Sequence, residues 1–169
     1  MFASFCFVFC MSITLVAAIS QNNCIGKKGE LPWHIPEDMK RMRAITRGKV
    51  LIMGRKTWES IPENRRPLPD RTNVVITRDE KYPLPPEVER YSSIEEALKA
   101  HAGEEIVGFG GQKIFEAMLP IADTLEITHV HQTVEHCDAF FPKIHPEEWK
   151  EEWREDRGEF SFVRYERRR

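Results

Sequence analysis

The chain has 169 residues, 41% hydrophobic and 31% charged, with a formal net charge of −2 at neutral pH. This length suffices to bury a core without metal or disulfide support, and the composition is typical of a globular protein rather than a disordered one. The small negative charge argues against a nucleic-acid partner, which normally requires a basic surplus.

The N-terminal segment is unusually apolar. Residues 1–26 contain no charged side chain, and residues 2–19 meet the length criterion for a membrane-spanning helix. The segment lacks the basic start of a signal peptide, however, and it divides at Met11. We therefore expect residues 1–10 to be an upstream-start or expression-derived extension and residues 11–169 to form one domain. A membrane anchor is the alternative, and the intact mass of the natively produced protein would distinguish the two.

From Met11 onward, strand and helix patterns alternate. Short apolar runs predict strands at residues 13–19, 50–53, 73–77, 106–109 and 125–131. Helices are expected at residues 36–46, 57–61 and 112–118, and another should run from a serine capping box at residues 92–96 to residue 100. A turn at residues 156–158 predicts a terminal antiparallel hairpin. Because strands separated by helices pair in parallel, we expect a mixed α/β sheet flanked by helices.

The helix predicted at residue 36 carries a carboxylate on its apolar side. On a helical wheel, Met42 and Ile45 lie within about 40° of Asp38. Glu37 and Arg41 point elsewhere and should form an i,i+4 surface pair. A carboxylate on an apolar face is costly unless a cation or hydrogen-bond donor meets it. Asp38 therefore either favours the positive helix N-terminus or binds a ligand with adjacent donor nitrogens, and Glu37 could already fill the first role.

The segment before this helix combines glycines with prolines. Gly26 and Gly29 border a loop that is free to move, whereas Pro32 and Pro36 stiffen the entry to the helix. We expect this mobile loop to close over a site near Asp38, carrying Leu31 and Trp33.

Three predicted strands end in residues suited to phosphate, namely Gly54-Arg55-Lys56-Thr57, Thr77-Arg78 and Gly110-Gly111-Gln112. Backbone N–H groups at such positions favour phosphate, and basic side chains and hydroxyls reinforce them. Ligands of α/β sheets gather at the carboxyl ends of strands. None of the three matches a GxGxxG or P-loop motif, but together they indicate one phosphate-rich ligand that spans them.

Seven blocks, in order and at matching spacing, resemble the dihydrofolate reductase family over nearly all of residues 11–167: LVAAIS, NCIG…LPWHIPEDM, VLIMGRKTWESI, RPLPDRTNVVITR, FGGQKIFEAMLP, LEITHVH and DAFFP. The resemblance implies a mainly parallel eight-stranded sheet flanked by four helices, with a C-terminal antiparallel hairpin. It also implies reduction of 7,8-dihydrofolate to tetrahydrofolate by hydride transfer from NADPH, and hence a place in one-carbon metabolism as an antifolate target.

The resemblance assigns a substrate site. Asp38 would bind the 2-amino group and N3 of the pterin and support protonation at N5, with Thr128 bracing its carboxylate. Leu31 and Trp33 would belong to the lid, and a water near Trp33 could carry the proton. The pocket for the pterin and aminobenzoyl groups would be lined by Val16, Ala17, Met42, Ile61, Leu68 and Phe109. Arg71 would bind the glutamate α-carboxylate, with Arg66 near the same tail.

The resemblance also assigns an NADPH site. The nicotinamide would lie beside Ala18, Ile25 and Gly26. The adenosine side, including the 2′-phosphate, would meet Gly54, Arg55, Lys56, Thr57, Thr77 and Arg78. The pyrophosphate would lie against Gly110, Gly111, Gln112, Lys113 and Ile114, and the family commonly has a cis bond between such paired glycines.

Two features depart from the family pattern. Met42 stands where the family usually has phenylalanine, which removes aromatic stacking on the substrate, and residues 2–10 have no counterpart. Two other readings remain. The first is a related reductase of riboflavin synthesis, but that family lacks the segment with Trp33, Pro36 and Asp38, so these residues argue against it. The second is a membrane-tethered binding module, suggested by the apolar N-terminus, and cell fractionation would distinguish it from the enzyme. We expect a monomer that binds small molecules and neither nucleic acid nor membrane, without a fused thymidylate synthase.

The four cysteines, Cys6, Cys10, Cys24 and Cys137, form no CxxC pair and no Cys/His metal spacing. So few cysteines in a chain of this length argue against a disulfide framework. We therefore expect no metal site, and reduced thiols in a cytoplasmic protein.

Overall fold

A computed structural model describes residues 11–169, so the predicted extension at residues 1–10 lies outside the described part. The strands are β1 Ser12–Ser20, β2 Cys24–Gly26, β3 Val50–Gly54, β4 Thr72–Ile76, β5 Glu89–Tyr91, β6 Glu105–Gly110, β7 Thr124–Val130, β8 Ala139–Phe140, β9 Trp149–Asp156 and β10 Phe160–Arg167. The α-helices are α1 Pro36–Thr46, α2 Arg55–Ser60, α3 Ile94–Ala100 and α4 Gln112–Met118. None of the helices in this part of the chain is both long and apolar enough to cross a membrane.

Eight strands form one mixed sheet in the order β5-β4-β3-β6-β1-β7-β10-β9. The pairs from β5 to β7 are parallel, whereas β10 runs antiparallel to both β7 and β9. A second, two-stranded sheet pairs β2 with β8. The predicted mainly parallel sheet with a terminal antiparallel hairpin is therefore confirmed.

The main elements form where the sequence patterns place them. The β3 run Val-Leu-Ile-Met is buried along its whole length, as expected for a strand covered on both faces. α1 begins at Pro36, whose fixed φ suits a first helical position. α3 begins after Ser93, whose hydroxyl oxygen accepts a hydrogen bond from the Glu96 N–H at 3.2 Å. The Ser93 cap therefore forms as expected, but the Glu96 carboxylate accepts from the Ser92 N–H rather than from that of Ser93, so the box is not reciprocal.

The sheet separates two apolar clusters, one on each face. On the first face, which we call the α1 face, helices α1 and α2 cover Leu51, Met53, Val75 and Val107. On the second, the α4 face, helices α3 and α4 cover Leu15, Ile52, Val74 and Ile106. These residues alternate along the strands because successive side chains point to opposite faces. The fold thus offers two separately packed layers, and the α1 face carries Asp38.

The prediction of reduced thiols is wrong for two of the cysteines. Cys24 and Cys137 form a disulfide with their Cα atoms 5.9 Å apart, across 113 residues of sequence. The pairing of β2 with β8 brings them together, which no spacing in the sequence could reveal. Cys6 and Cys10 lie outside the described residues. The bridge joins the loop before α1 to the segment after β7.

We expect loss of this bridge to destabilise the protein by about 2–5 kcal/mol, since a cross-link over a long loop restricts the unfolded chain. The measurement is denaturant unfolding of the oxidised protein with and without a thiol reductant. In the variant C137A the reductant should no longer change the unfolding midpoint. Equal midpoints for the wild-type protein under both conditions would contradict the expectation.

A half-buried histidine on the α4 face, His129, should make the stability of the protein depend on pH. His129 Nε2 lies 2.7 Å from the Tyr165 hydroxyl, and burial, with the nearby Arg154 charge, lowers the pKa of His129 from 6.5 to about 4. The folded protein therefore favours neutral His129, and this stabilisation is complete above pH 6.5 and lost as pH falls toward 4.

When the pH falls from 6.5 to 4, the unfolding free energy of the wild-type protein should therefore decrease by about 1–2 kcal/mol more than that of H129Q. This figure already allows for solvent screening. Urea unfolding of both proteins across this range measures the difference. Parallel pH profiles would show that His129 does not titrate in this way.

Candidate active site

The parallel strands direct their carboxyl ends to one edge of the sheet, and the predicted site residues follow these ends. α1 begins after the loop that follows β1, α2 begins directly after β3, and α4 begins directly after β6. Because β3, β6 and β1 are neighbours, these three segments lie side by side. The edge is thus the natural place for a ligand in an open α/β sheet.

Asp38 lies half-buried on α1 and is held from the sheet. The Thr128 hydroxyl donates a hydrogen bond of 2.5 Å to Asp38 Oδ1, and Thr128 is only 2% exposed on β7. Burial raises the pKa of Asp38, while the Thr128 hydrogen bond and the Arg41 charge lower it. The arrangement therefore combines a sheltered carboxylate with groups that favour its ionised form.

The expected surface pair between Glu37 and Arg41 does not form. Arg41 Nη2 lies 2.6 Å from Glu126 Oε2 on β7, and Glu37 Oε2 instead lies 3.1 Å from Arg157 Nη1. Glu126 is 85 residues from Arg41 in sequence, and Arg157 is 120 residues from Glu37. Helical spacing alone could not predict them, because it takes no account of the neighbouring sheet.

Most of the predicted apolar lining gathers beside Asp38. The cluster on the α1 face contains Val16, Met42, Ile61, Leu68 and Phe109. Ala17 and Ile25 pack instead against the cluster of the α4 face. Their side chains therefore point away from Met42.

The first half of the loop before α1 is hydrogen-bonded to a segment distant in sequence. The Lys28 N–H donates to Asp138 Oδ2 at 2.8 Å, close to the disulfide and the β2–β8 pair. In the second half, Leu31 is 58% exposed, and its place in a lid that closes over the site stays a prediction. The Trp33 indole N–H is buried and has no acceptor among residues 11–169, which leaves a donor near α1 for a ligand or a water.

Arg71 is fixed in orientation by the end of α1. Its Nε donates to Thr46 Oγ1 at 2.7 Å and its Nη2 to the Arg43 carbonyl at 2.9 Å, while Nη1 donates to the Pro69 carbonyl. Arg66 donates to the Trp58 carbonyl at 2.9 Å and lies over its indole ring. Both guanidinium groups are thus pre-positioned, as bidentate recognition of a carboxylate requires.

Two of the predicted phosphate-binding segments, those at Gly54 and at Gly110-Gly111, lie against each other through glycine backbone. A Cβ added to Gly111 would meet Thr57 Oγ1 at 3.5 Å and no other neighbour within 4 Å. A Cβ on Gly54 would lie 3.6 Å from Ile114 and within 4.0 Å of Gly110 and Gly111 backbone atoms. The bond between Gly110 and Gly111 is cis, as the resemblance implied. The glycines therefore form a shallow cradle with the Thr57 hydroxyl at its wall.

Basic side chains border this cradle, and one of them, Arg55, also contacts neighbouring side chains. Arg55 lies 3.6 Å from Glu59 and over the Tyr82 ring. Thr77 Oγ1 accepts the Asp79 N–H at 3.2 Å, and Arg78 follows at the end of β4, next to β3. Lys56 and Lys113 are exposed in the first turns of α2 and α4, whereas Ala18 lies half-buried on β1. Gln112 is committed elsewhere, because its Oε1 accepts the Phe140 N–H at 2.9 Å and its Nε2 donates to Glu116.

Two cavities open beside β7. One, of about 410 Å³, is bordered by Trp33, Ile35, Val130 and His131 and lies next to the entry of α1. The other, of about 520 Å³, is bordered by Ile19, His129, Trp149 and Tyr165 on the α4 face. The larger cavity therefore lies across the sheet from Asp38. Within residues 11–169 we find no group of three or more His, Cys, Asp or Glu side chains that could hold a metal ion.

Within residues 11–169 these features define an α/β fold with a candidate small-molecule site at the carboxyl edge of a mainly parallel sheet. The dihydrofolate reductase family model matches residues 12–167. The chain belongs to the dihydrofolate reductase family.

Individual relatives agree over nearly the whole chain. A dihydrofolate reductase of Neisseria meningitidis is 46% identical over 162 residues, which cover 92% of this chain and 98% of the relative. That of Haemophilus influenzae is 40% identical over 157 residues, 92% of this chain and 94% of the relative. The Enterococcus faecalis dihydrofolate reductase, solved with NADP(H) and RAB-propyl, superposes with a TM-score of 0.82 at 32% identity, covering 94% of this chain and 97% of that one.

Two parts of the site escaped the sequence analysis. Glu126 is an acidic residue in an otherwise buried strand, β7, and that anomaly could have marked it as a partner for a cation. No sequence pattern indicated the Cys24–Cys137 bridge, because Cys24 lies in a three-residue strand and Cys137 lies just before a two-residue strand.

Proposed function

We propose that this protein reduces 7,8-dihydrofolate to tetrahydrofolate with NADPH, and that Asp38 binds the pterin. The observation that carries the proposal is the sheltered Asp38 carboxylate, held by Thr128 beside an apolar cluster. A carboxylate can accept two parallel N–H bonds, which matches the 2-amino group and N3 of a pterin. The family match and the solved relative with NADP(H) support the same activity.

The cofactor would bind at the part of the sheet edge where β3 and β6 end, away from Asp38 on α1. The glycine cradle at Gly54, Gly110 and Gly111 lets a pyrophosphate approach the backbone closely. Arg55, Lys56 and Arg78 supply positive charge near β3 and β4 for the 2′-phosphate, and Ala18, Ile25 and Gly26 would border the nicotinamide. When bound, NADPH supplies the hydride.

Asp38 would also favour the proton that the reduction requires at N5. An ionised carboxylate stabilises a positively charged heterocycle more than a neutral one, so its effect increases as the pterin gains a proton. Asp38 need not donate the proton itself. The unpaired indole N–H of Trp33 could orient a water that carries the proton to N5.

The remainder of the substrate would follow the α1 face. The aminobenzoyl group would pack against Met42, Ile61 and Leu68, which are half-buried and contact the same cluster. The glutamate α-carboxylate would pair with Arg71, whose guanidinium is oriented by the Thr46 hydroxyl and the Arg43 carbonyl, with Arg66 close to the same tail.

The proposed location is the cytoplasm and the proposed state is a monomer. Fractionation of the cells that produce the protein and light scattering of the purified chain test these two statements independently of activity.

The deciding experiment for the activity mixes the purified protein, NADPH and dihydrofolate and follows the loss of near-ultraviolet absorbance of the reduced nicotinamide. Absorbance should fall only when all three are present, and tetrahydrofolate should accumulate in equal amount. Oxidation of NADPH without dihydrofolate, or no oxidation with it, would overturn the proposal.

A further inference from the structure

A part-buried ion pair joins α1, the helix that carries the proposed substrate carboxylate, to β7. Arg41 Nη2 and Glu126 Oε2 are 2.6 Å apart, and their side chains are 21% and 8% exposed. Charged side chains are rarely this buried unless they are paired. Breaking such a pair would leave an uncompensated charge, so the contact fixes the position of Arg41.

Aromatic rings complete the enclosure of the Arg41 guanidinium. Its central carbon lies 4.9 Å from the centre of the Phe162 ring and 5.5 Å from that of Trp153. A guanidinium over an aromatic face is attracted by the ring electrons. Arg41 is therefore held on one side by a carboxylate and on others by two rings, and cannot turn freely into solvent.

The same enclosure places Arg41 close to Asp38. The two residues are three positions apart on α1, which makes them neighbours on one helix surface. The residues that they contact on β7 are also neighbours: Glu126, which contacts Arg41, and Thr128, which contacts Asp38, are two positions apart and so lie on one face of the sheet. Thr128 is in register with Phe162 on β10, which packs under Arg41. One patch of the sheet thus anchors both side chains.

We propose that Arg41 is a positioning residue of the reaction, locked by Glu126 where its charge keeps the Asp38 carboxylate ionised for the pterin. This rests on the proposed role of Asp38. Burial raises the pKa of Asp38 and so disfavours its ionised form, whereas the nearby Arg41 charge lowers this pKa.

The other charged groups around Asp38 are engaged with one another. Glu37 on α1 pairs with Arg157 at the β9–β10 turn, at 3.1 Å. Arg164 on β10 lies 3.4 Å from Glu126 and 3.1 Å from Glu166. From the loop before α1, His34 is exposed. Arg164 therefore offers a matched control, because it contacts the same Glu126 but does not act on Asp38.

The test uses the full-length enzyme and the double variant R41M/E126Q, which removes the pair without leaving a buried lone charge. The pH midpoint of kcat/KM for dihydrofolate should move upward by about half a pH unit, because loss of a neighbouring positive charge favours protonation. R41K, which keeps the charge, should return the midpoint close to the wild-type value. R164M should leave it unchanged.

A second readout does not depend on turnover. The carboxyl carbon of Asp38 is titrated by NMR in the wild-type protein and in R41M/E126Q, with D38N to assign the signal, and the titration should shift upward by the same amount. If R41M/E126Q does not fold by circular dichroism, the more polar double variant R41Q/E126Q is titrated instead.

An unchanged Asp38 titration in a folded variant would overturn the inference while leaving the proposed function intact. Failure of the proposed function would look different, because D38N would then retain wild-type turnover of dihydrofolate or the wild-type protein would have none.

Discussion

Replacing Asp38 with asparagine should lower kcat/KM for dihydrofolate by about 10²–10⁴-fold, the range typical of a positioned group that assists proton transfer. Asparagine keeps the size of the side chain and one oxygen for Thr128, so the fold should persist. It carries no charge, however, and cannot stabilise a pterin that gains a proton at N5. The loss should therefore appear mainly in kcat, with a smaller rise in KM.

The binding of NADPH provides the internal control for D38N. Asp38 lies on α1, whereas the proposed cofactor cradle lies at α2 and α4, so the dissociation constant for NADPH should change little. E37Q, one position away on the exposed side of the same helix, should retain nearly full activity. If D38N lost NADPH affinity and activity in equal measure, the variant would be misfolded or the carboxylate wrongly assigned.

Neutralising Arg55 and Arg78 together, as R55Q/R78Q, should narrow the preference for NADPH over NADH by about 10–100-fold, since a hydrogen bond to a charged group contributes about 1.5–3 kcal/mol before solvent screening. The two residues follow adjacent strands, β3 and β4, so both can reach one 2′-phosphate. The change should arise from weaker use of NADPH, while kcat/KM with NADH stays nearly constant.

Steady-state kinetics with both cofactors measure this preference. K81Q serves as the control, because Lys81 is an exposed cation a few residues after Arg78 with no proposed role. A ratio in R55Q/R78Q equal to that of the wild-type protein would place the 2′-phosphate elsewhere.

The sequence predicted the parts of the fold that are marked by long patterns. The buried run of β3, the proline at the start of α1 and the Ser93 cap of α3 all lie where expected. The sequence also predicted that the phosphate-binding segments after β3 and β6 lie at one edge of the sheet, because parallel strands direct their carboxyl ends to the same edge. The helical wheel placed Asp38 and Met42 on one side of α1, and both are half-buried there.

Contacts between distant segments could not be predicted. Strands β2, β5 and β8 have only two or three residues, too few to show a period, and the Cys24–Cys137 bridge depends on two of them. Helical spacing paired Glu37 with Arg41, yet the sheet provides Arg41 with a better partner in Glu126. A buried carboxylate and two ring faces outweigh a solvent-exposed i,i+4 contact, which contributes about 0.3–0.5 kcal/mol.

The most direct test of the role given to Asp38 is a crystal structure of the protein with folate and oxidised cofactor. Both Asp38 oxygens should lie within hydrogen-bond distance, about 2.7–3.2 Å, of the pterin 2-amino nitrogen and N3, with the nicotinamide stacked on the other side of the pterin near Ala18. A pterin bound at another place, with the Asp38 carboxylate contacting only solvent and Thr128, would contradict the account.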